Sequence, residues 1–208
     1  ELIGDIDQTA KKLIKEAIDN GKHVVTANKA LLAKEGSTLE LLAKEKGVSL
    51  RYEAAVAGGI PVIKTLQDSL IVNKISKLYG VINGTCNFIL TKMEADGRDY
   101  QEVFAEAKRL GYVESDPRLD IGGVDSAHKL ALLSCLAFGT HLDFKGVKTK
   151  GIEQLSIEDI QEASLMGYKI KLLAVAEYNK NQLTQEVSPK LIKNISPIAQ
   201  VAGSTNII

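Results

Sequence analysis

The chain has 208 residues, a length that suits one or two domains, with 45% apolar and 25% charged residues, as in ordinary globular proteins. Lys plus Arg number 26 and Asp plus Glu also 26, which excludes the basic excess of a nucleic-acid binder. No apolar run approaches the roughly 18 residues a membrane-spanning helix needs, no signal-peptide pattern is seen, and Cys86 and Cys135 stand far apart, so a reducing, cytoplasmic setting is expected.

The opening ELIGDIDQ has no Met and leads directly into a helix, which reads as a piece of a longer chain. Over residues 7–20, Ala10, Leu13, Ile14, Ala17 and Ile18 recur at helical spacing, and Asn20-Gly21 closes the helix. HVVTA (23–27) is predicted as a short buried strand. Ser37 with Glu40 has the capping-box pattern ahead of Leu41, Leu42 and Ala43, with Gly47 as the stop. VSLRYEAAVA (48–57) is predicted as a second strand, and the helix–strand alternation is that of a parallel α/β sheet.

After Gly58-Gly59 the pattern changes, and a domain boundary is expected there. Pro61 suits the first position of a helix, PVIKTLQDSLIV. KISKLYGVIN (74–83) reads as a strand and CNFILTKME as a helix, and Asp99 with Glu102 is expected to cap another helix ending at Gly111. A loop follows, then an apolar helix over 125–138, a strand at GVKTKGI, and a short helix to Met166 capped by Ser156 with Asp159. YKIKLLAVAEY (168–178) and LTQEVSPKLI are predicted strands, and SPIAQVAGSTNII has no clear pattern. Helices and strands mix here without a strict repeat, so the fold class is α/β followed by α+β.

The segment ESDPRLDIGGVDSAHK (114–129) places Glu114, Asp116, Asp120 and Asp125 close together. Their positions 1, 3, 7 and 12, with Glu first, do not match the ligand positions of a calcium-binding EF-hand loop. A solvated acidic loop is one reading. Against it, Asp125 and Lys129 are four residues apart on a predicted helix and share a face, and the residues after them are almost all apolar. A lysine in the first turn of a buried helix opposes the macrodipole and loses solvation, and carboxylates nearby compensate it; charge of this kind marks functional sites.

TANK (26–29) follows the first predicted strand, where ligands of parallel sheets bind, so Lys29 meets an anion there or is a surface lysine beside a capping Asn28. EAAVAGGIP (53–61) is a tight turn, or a backbone whose carbonyls converge on an ion. NGTCN (83–87) suits close approach of a ligand to backbone, or is a plain Asn-Gly turn. His23, His128 and His141 do not cluster in the sequence, no Ser/His/Asp or Cys/His arrangement can be argued, and no GxGxxG is present.

These stretches resemble homoserine dehydrogenase. AKRLGYVESDPRLDIGGVDSAHK (107–129) is similar to that family's signature, with Val113 where a small residue is usual, and GKHVVTANKALLAKEG, EAAVAGGIPVIKTL and VINGTCNFIL extend the resemblance over nearly the whole chain. It implies that residues 1–57 are the remainder of an NAD(P)-binding Rossmann domain whose Gly-rich unit precedes Glu1. Residues 58–195 are then a catalytic and dimerisation domain, and 196–208 the start of a returning C-terminal segment. It implies reversible oxidation of L-homoserine to L-aspartate 4-semialdehyde with NAD or NADP, in a homodimer. On the matching positions, Lys129 is the proton donor or acceptor and Asp125 holds and polarises it; Glu114 and Asp120 bind the substrate's amino group and hydroxyl. Thr26, Asn28 and Lys29 meet the cofactor, with Gly84, Thr85 and Gly111 lining its end of the site. Glu53 with the carbonyls of Val56, Gly58 and Ile60 resembles a site for a monovalent cation, Na or K. Amid carboxylates, Lys129 is easiest to read as an acid in the reducing direction or as a fixed positive charge on a developing alkoxide. Two other readings stay open: another amino-acid semialdehyde oxidoreductase, which would use Cys86 as nucleophile, and a non-catalytic dimerisation module.

Overall fold

The computed structural model describes residues 1–3, 9–113 and 116–208, and these form two compact units: Glu1–Ser76 with His128–Gly146, and Lys77–Ala127 with Val147–Ile208.

In the first unit, helix α1 (Thr9–Asp19) buries Ala10, Ile14 and Ile18, one stripe at helical spacing, against Val24, Leu31, Leu39 and Ala43. Strand β1 (Val24–Val25) pairs in parallel with β2 (Leu50–Arg51), Val24 opposite Leu50 and Val25 opposite Arg51. Between them runs a single helix, α2 (Lys29–Glu45). The expected start at Ser37 is wrong: Asn28 caps the helix, its Oδ1 accepting from the Leu31 amide at 3.1 Å, and Ser37 lies in mid-helix. Leu31, Leu32, Leu39 and Ala43 are buried on both sides of Gly36, and their burial outweighs the roughly 1 kcal/mol that a mid-helix glycine costs.

Both strands are shorter than predicted. Val25 is 66% exposed, so β1 alternates sides rather than being buried throughout. Past Arg51 the chain leaves the sheet, with Glu53–Ala55 as a turn of 3₁₀-helix and Ala57 at φ +47°. Buried Tyr52 donates its hydroxyl to Glu40 on α2, which ties the end of β2 to that helix. Pro61 sits one position before α3 (Val62–Lys64), which opens into a π-helical turn over Thr65–Ser69 and ends before the expected Val72.

The second unit is built on a four-stranded sheet in the order β3 (Lys77–Gly80), β5 (Tyr168–Asn179), β6 (Gln182–Lys193), β4 (Val147–Thr149). β5 is antiparallel to β3 and β6, while β4 runs parallel to β6. Lys180 and Asn181, both at positive φ, form the two-residue turn of the β5–β6 hairpin. Helices α4 (Gly84–Asp96) and α8 (Ile157–Leu165) pack on β5, and α5 (Tyr100–Arg109) packs on α4. The Ser156–Asp159 capping box at α8 is present in both directions. Asp99 precedes α5 without a side-chain cap; Glu102 instead meets Arg98, whose guanidinium also reaches Glu106. The patternless C-terminal stretch closes back on the sheet through a bridge between Val81 and Ile207.

The predicted acidic loop contains a short helix, α6 (Pro117–Asp120), followed after Ile121-Gly122-Gly123 by α7 (Val124–Phe138). Gly123 has φ +82°, and a side chain there would press on Thr149 and Val187. The glycine pair thus lets one helix stop and the next begin within three residues.

Candidate active site

The turn between β3 and α4 places Asn83, in extended conformation, at the N-cap of α4, where its Oδ1 accepts from the Cys86 amide at 2.7 Å. The other end of the same side chain is the centre of the site. Its Nδ2 donates to Asp120 Oδ1 at 3.1 Å and to Asp125 Oδ2 at 3.2 Å. All three residues are 4% exposed. Asp120 is the last residue of α6 and Asp125 lies in the first turn of α7, where the helix dipole favours an anion. Two carboxylates from different helices are therefore held beside one another, out of bulk water, on a single amide.

The other acids of the stretch go elsewhere. Asp116 caps α6 and pairs with exposed Arg118 at 2.9 Å, which holds its carboxyl below the usual carboxylate range. Glu114 lies outside the described residues. Lys129, half-buried, follows Asp125 by one turn of α7.

Around the β3–α4 turn, the residues expected to line a cofactor make contacts within the protein. Thr85 Oγ1 donates to the Tyr112 carbonyl at 2.7 Å, and Gly111, at φ +77°, ends α5. A side chain on Gly84 would sit 2.6 Å from the Ser204 carbonyl oxygen, so the glycine admits the C-terminal segment. In the first unit, Thr26 Oγ1 donates to Glu1 at 2.7 Å and accepts from the Asn28 amide, while Asn28 Nδ2 donates to the Ile3 carbonyl. Lys29 is the first residue of α2 and half-buried. The Glu53 carboxylate accepts from the amides of Ile63 and Lys64, 2.9 Å each, at the start of α3. Between Val56 and Ile60 the backbone is left-handed at Ala57 and Gly59.

Sequence reasoning did not single out Asn83 as more than a turn residue. A second unforeseen feature is Lys171 on β5, 2% exposed, which donates to Asn87 Oδ1 at 2.8 Å and to the Val201 carbonyl at 2.6 Å. Its signal was weak: it is one of two lysines, with Lys169, in the first four residues of a predicted strand whose next five residues are all apolar. Burial, helped by neighbouring Lys169 and opposed by Glu94, lowers its pKa to about 8. Cys86 is 0% exposed and donates its thiol to the Asp120 carbonyl at 3.3 Å, a poor position for a nucleophile. Among the described residues no group of His, Cys, Asp or Glu is arranged to hold a metal ion, and no helix is long and apolar enough to cross a membrane.

A short parallel strand pair joined through a helix, and a second unit in which a mixed sheet is accompanied by helices bearing two buried aspartates, suit an NAD-binding dehydrogenase with a separate catalytic portion, and comparison with known proteins gives that class. The family model described as homoserine dehydrogenase, NAD binding domain, matches residues 6–53, and the one described as homoserine dehydrogenase matches 61–208. The chain belongs to the homoserine dehydrogenase family. It is 48% identical over 208 residues to a homoserine dehydrogenase of Pseudomonas aeruginosa and 42% identical over 208 residues to that of Bacillus subtilis. In both cases all of this chain is matched but only 48% of the relative, so the chain spans about half their length. A homoserine dehydrogenase crystal structure from Thiobacillus denitrificans superposes with a TM-score of 0.95 at 50% identity, covering 99% of this chain and 48% of that one. A hyperthermophilic archaeal homoserine dehydrogenase mutant, solved in complex with NADPH, superposes with a TM-score of 0.82 at 29% identity, covering 99% of this chain and 58% of that one.

Proposed function

We propose that this chain supplies the catalytic portion, and part of the nucleotide-binding portion, of an enzyme that interconverts L-homoserine and L-aspartate 4-semialdehyde with NAD or NADP. The observation that carries the reading is the pair of buried carboxylates, Asp120 and Asp125, on the Asn83 amide at the start of the helix that bears Lys129. A ligand with an ammonium and a terminal hydroxyl matches these groups: Asp120, with Glu114, takes the ammonium and hydroxyl, and Asp125 holds and polarises Lys129.

Bound NAD(P) supplies the hydride acceptor for oxidation and the donor for reduction. Lys29, at the N-terminus of α2, offers a cation where a helix end already favours anions, so it fits the phosphates or carboxamide of such a cofactor. Thr26 and Asn28 shape that turn, and Gly84, Thr85 and Gly111 are assigned to the cofactor end of the catalytic portion. In the reducing direction, Lys129 gives a proton to the oxygen of the aldehyde as its carbon gains hydride; in the oxidising direction the hydroxyl proton returns to it. Its positive charge also opposes the negative charge developing on that oxygen.

The division into residues 1–57, 58–195 and 196–208 belongs to this proposal, as do a homodimer and a cytoplasmic setting. A monovalent cation, Na or K, is assigned to Glu53 and the carbonyls of Val56, Gly58 and Ile60. The left-handed residues Ala57 and Gly59 between those carbonyls support it, and so does a carboxylate fixed by two amides. Thioester chemistry is disfavoured because Cys86 is buried.

The test is NAD(P)-dependent homoserine oxidation by the longest polypeptide that carries this sequence. Lys129→Ala is expected to abolish turnover while cofactor binding, followed by fluorescence, survives. A near-normal kcat in that variant overturns the assignment.

A further inference from the structure

We propose that Asn83 is a positioning residue: its amide, through two N–H bonds, sets the separation and orientation of Asp120 and Asp125 and so shapes the substrate-binding end of the site. The inference rests on the reading of those aspartates given above. Its geometry stands independently. One Nδ2 contributes a hydrogen to each carboxylate, at 3.1 and 3.2 Å, and the rotation of the amide is fixed because Oδ1 is held at 2.7 Å by the Cys86 amide. The cap of α4 is therefore the anchor and the carboxylate pair is what it positions.

Chemistry narrows what residue can do this. Two acids side by side repel, and a group between them must donate to both without being an acid or a bulky cation. An amide does so, and its carbonyl end keeps the helix cap. Serine keeps the cap but has one hydrogen to give; aspartate keeps the cap and has none. Among the described residues, the titratable groups tied to the amide or to its hydrogen-bond partners include Asp120 on α6, Asp125 on α7 and the Cys86 thiol on α4, with Lys129 one turn further along α7. A third carboxylate at position 83 cannot ionise beside the other two without cost, so the cluster takes up a proton.

Asn83→Asp separates the two roles, because it keeps the acceptor for the Cys86 amide and removes both donors. In the longest polypeptide that carries this sequence, it is expected to lower kcat/KM about tenfold or more at neutral pH, the loss of hydrogen bonds to charged groups. The acidic limb of the pH profile is expected to move upward by about one pH unit or more. Asn83→Ser, with one donor left, is expected to lose less and to raise KM more than it lowers kcat. Carboxylate titration by ¹³C NMR on aspartate-labelled protein reads the same coupling without turnover: Asn83→Asp is expected to show an additional protonation in the window of the displaced limb.

A pH profile and a carboxylate titration that superpose on those of the parent overturn the proposal. So does equal loss in Asn83→Asp and Asn83→Ala with no movement of the limb, which leaves only the helix cap. Asp120→Asn and Asp125→Asn measured alongside distinguish a failure of the site itself. If these keep parental activity, the functional reading falls, whereas the titration still decides whether Asn83 couples the pair.

Discussion

Gly84 and Gly111 show how one residue type answers two physical demands. A β-carbon on Gly84 would lie 2.6 Å from the Ser204 carbonyl oxygen, a backbone atom that moves only if the whole segment moves. Gly111 has open space around it but sits at φ +77°. Gly84→Ala is therefore expected to destabilise by about 1–3 kcal/mol through overpacking, with loss of amide-exchange protection over residues 201–207. Gly111→Ala is expected to cost about 1 kcal/mol from backbone strain, with protection of that segment unchanged. Urea unfolding and hydrogen exchange check both, and equal exchange patterns would contradict the distinction. The residues of the candidate site differ in how legible they were for a related reason. Asp125 and Lys129 lie four apart, so helical phase alone puts them on one face. Asn83 reaches Asp120 and Asp125 across 37 and 42 residues of sequence, and no local pattern encodes that pairing. The sequence marked position 83 as part of a strand-to-helix turn, and there it is the extended N-cap residue of α4; its second partner set required the fold.

Helices were more legible than strands, and their starts depended on which capping residue won. At α8, Ser156 and Asp159 cap each other as the local pattern dictates, and Ser156→Ala is expected to cost about 1 kcal/mol in a urea titration. At α2 the same kind of pattern misleads. Ser37 and Glu40 have capping-box spacing, yet Leu31, Leu32 and Leu39 form one buried stripe that continues through Gly36, so the helix begins at the earlier Asn28 cap. Asn28→Ala is expected to destabilise by about 1 kcal/mol, whereas Ser37→Ala, exposed in mid-helix, is expected to be neutral or slightly stabilising because alanine has the higher helix propensity. A larger loss at Ser37 than at Asn28 would contradict the single helix. β1 and β2 shrink to two residues each because the chain after Arg51 turns into 3₁₀-helix and a left-handed Ala57. An apolar run shows neither that all its residues pair nor, as exposed Val25 demonstrates, that all of them are buried.

Across the second unit, sheet, helix and C-terminal segment meet at one buried ammonium. Lys171 on β5 donates to Asn87 on α4 and to the Val201 carbonyl, while the Asn87 amide donates to the carbonyls of Val201, Gly203 and Thr205. The C-terminal segment is thus held to the sheet by donors that have no carboxylate partner in this network, and burial lowers the Lys171 pKa from 10.5 to about 8. Between those values the unfolded chain binds more protons at this position than the folded one, so raising the pH stabilises the fold. The contribution is complete above the unfolded value and is lost as pH falls through about 8. The shift corresponds to roughly 3 kcal/mol. Lys171→Met removes the titration but keeps an unbranched side chain in the cavity. Across pH 7.5 to 9.5, the stability of the parent measured against that of Lys171→Met is therefore expected to rise by about 2 kcal/mol, while groups common to both cancel. A flat difference would mean that the ammonium is solvated in the fold. A falling one would mean that Lys171 is held charged by a partner, as an ion-paired lysine would be, and the network would then fasten the C-terminal segment most firmly at low pH instead of high.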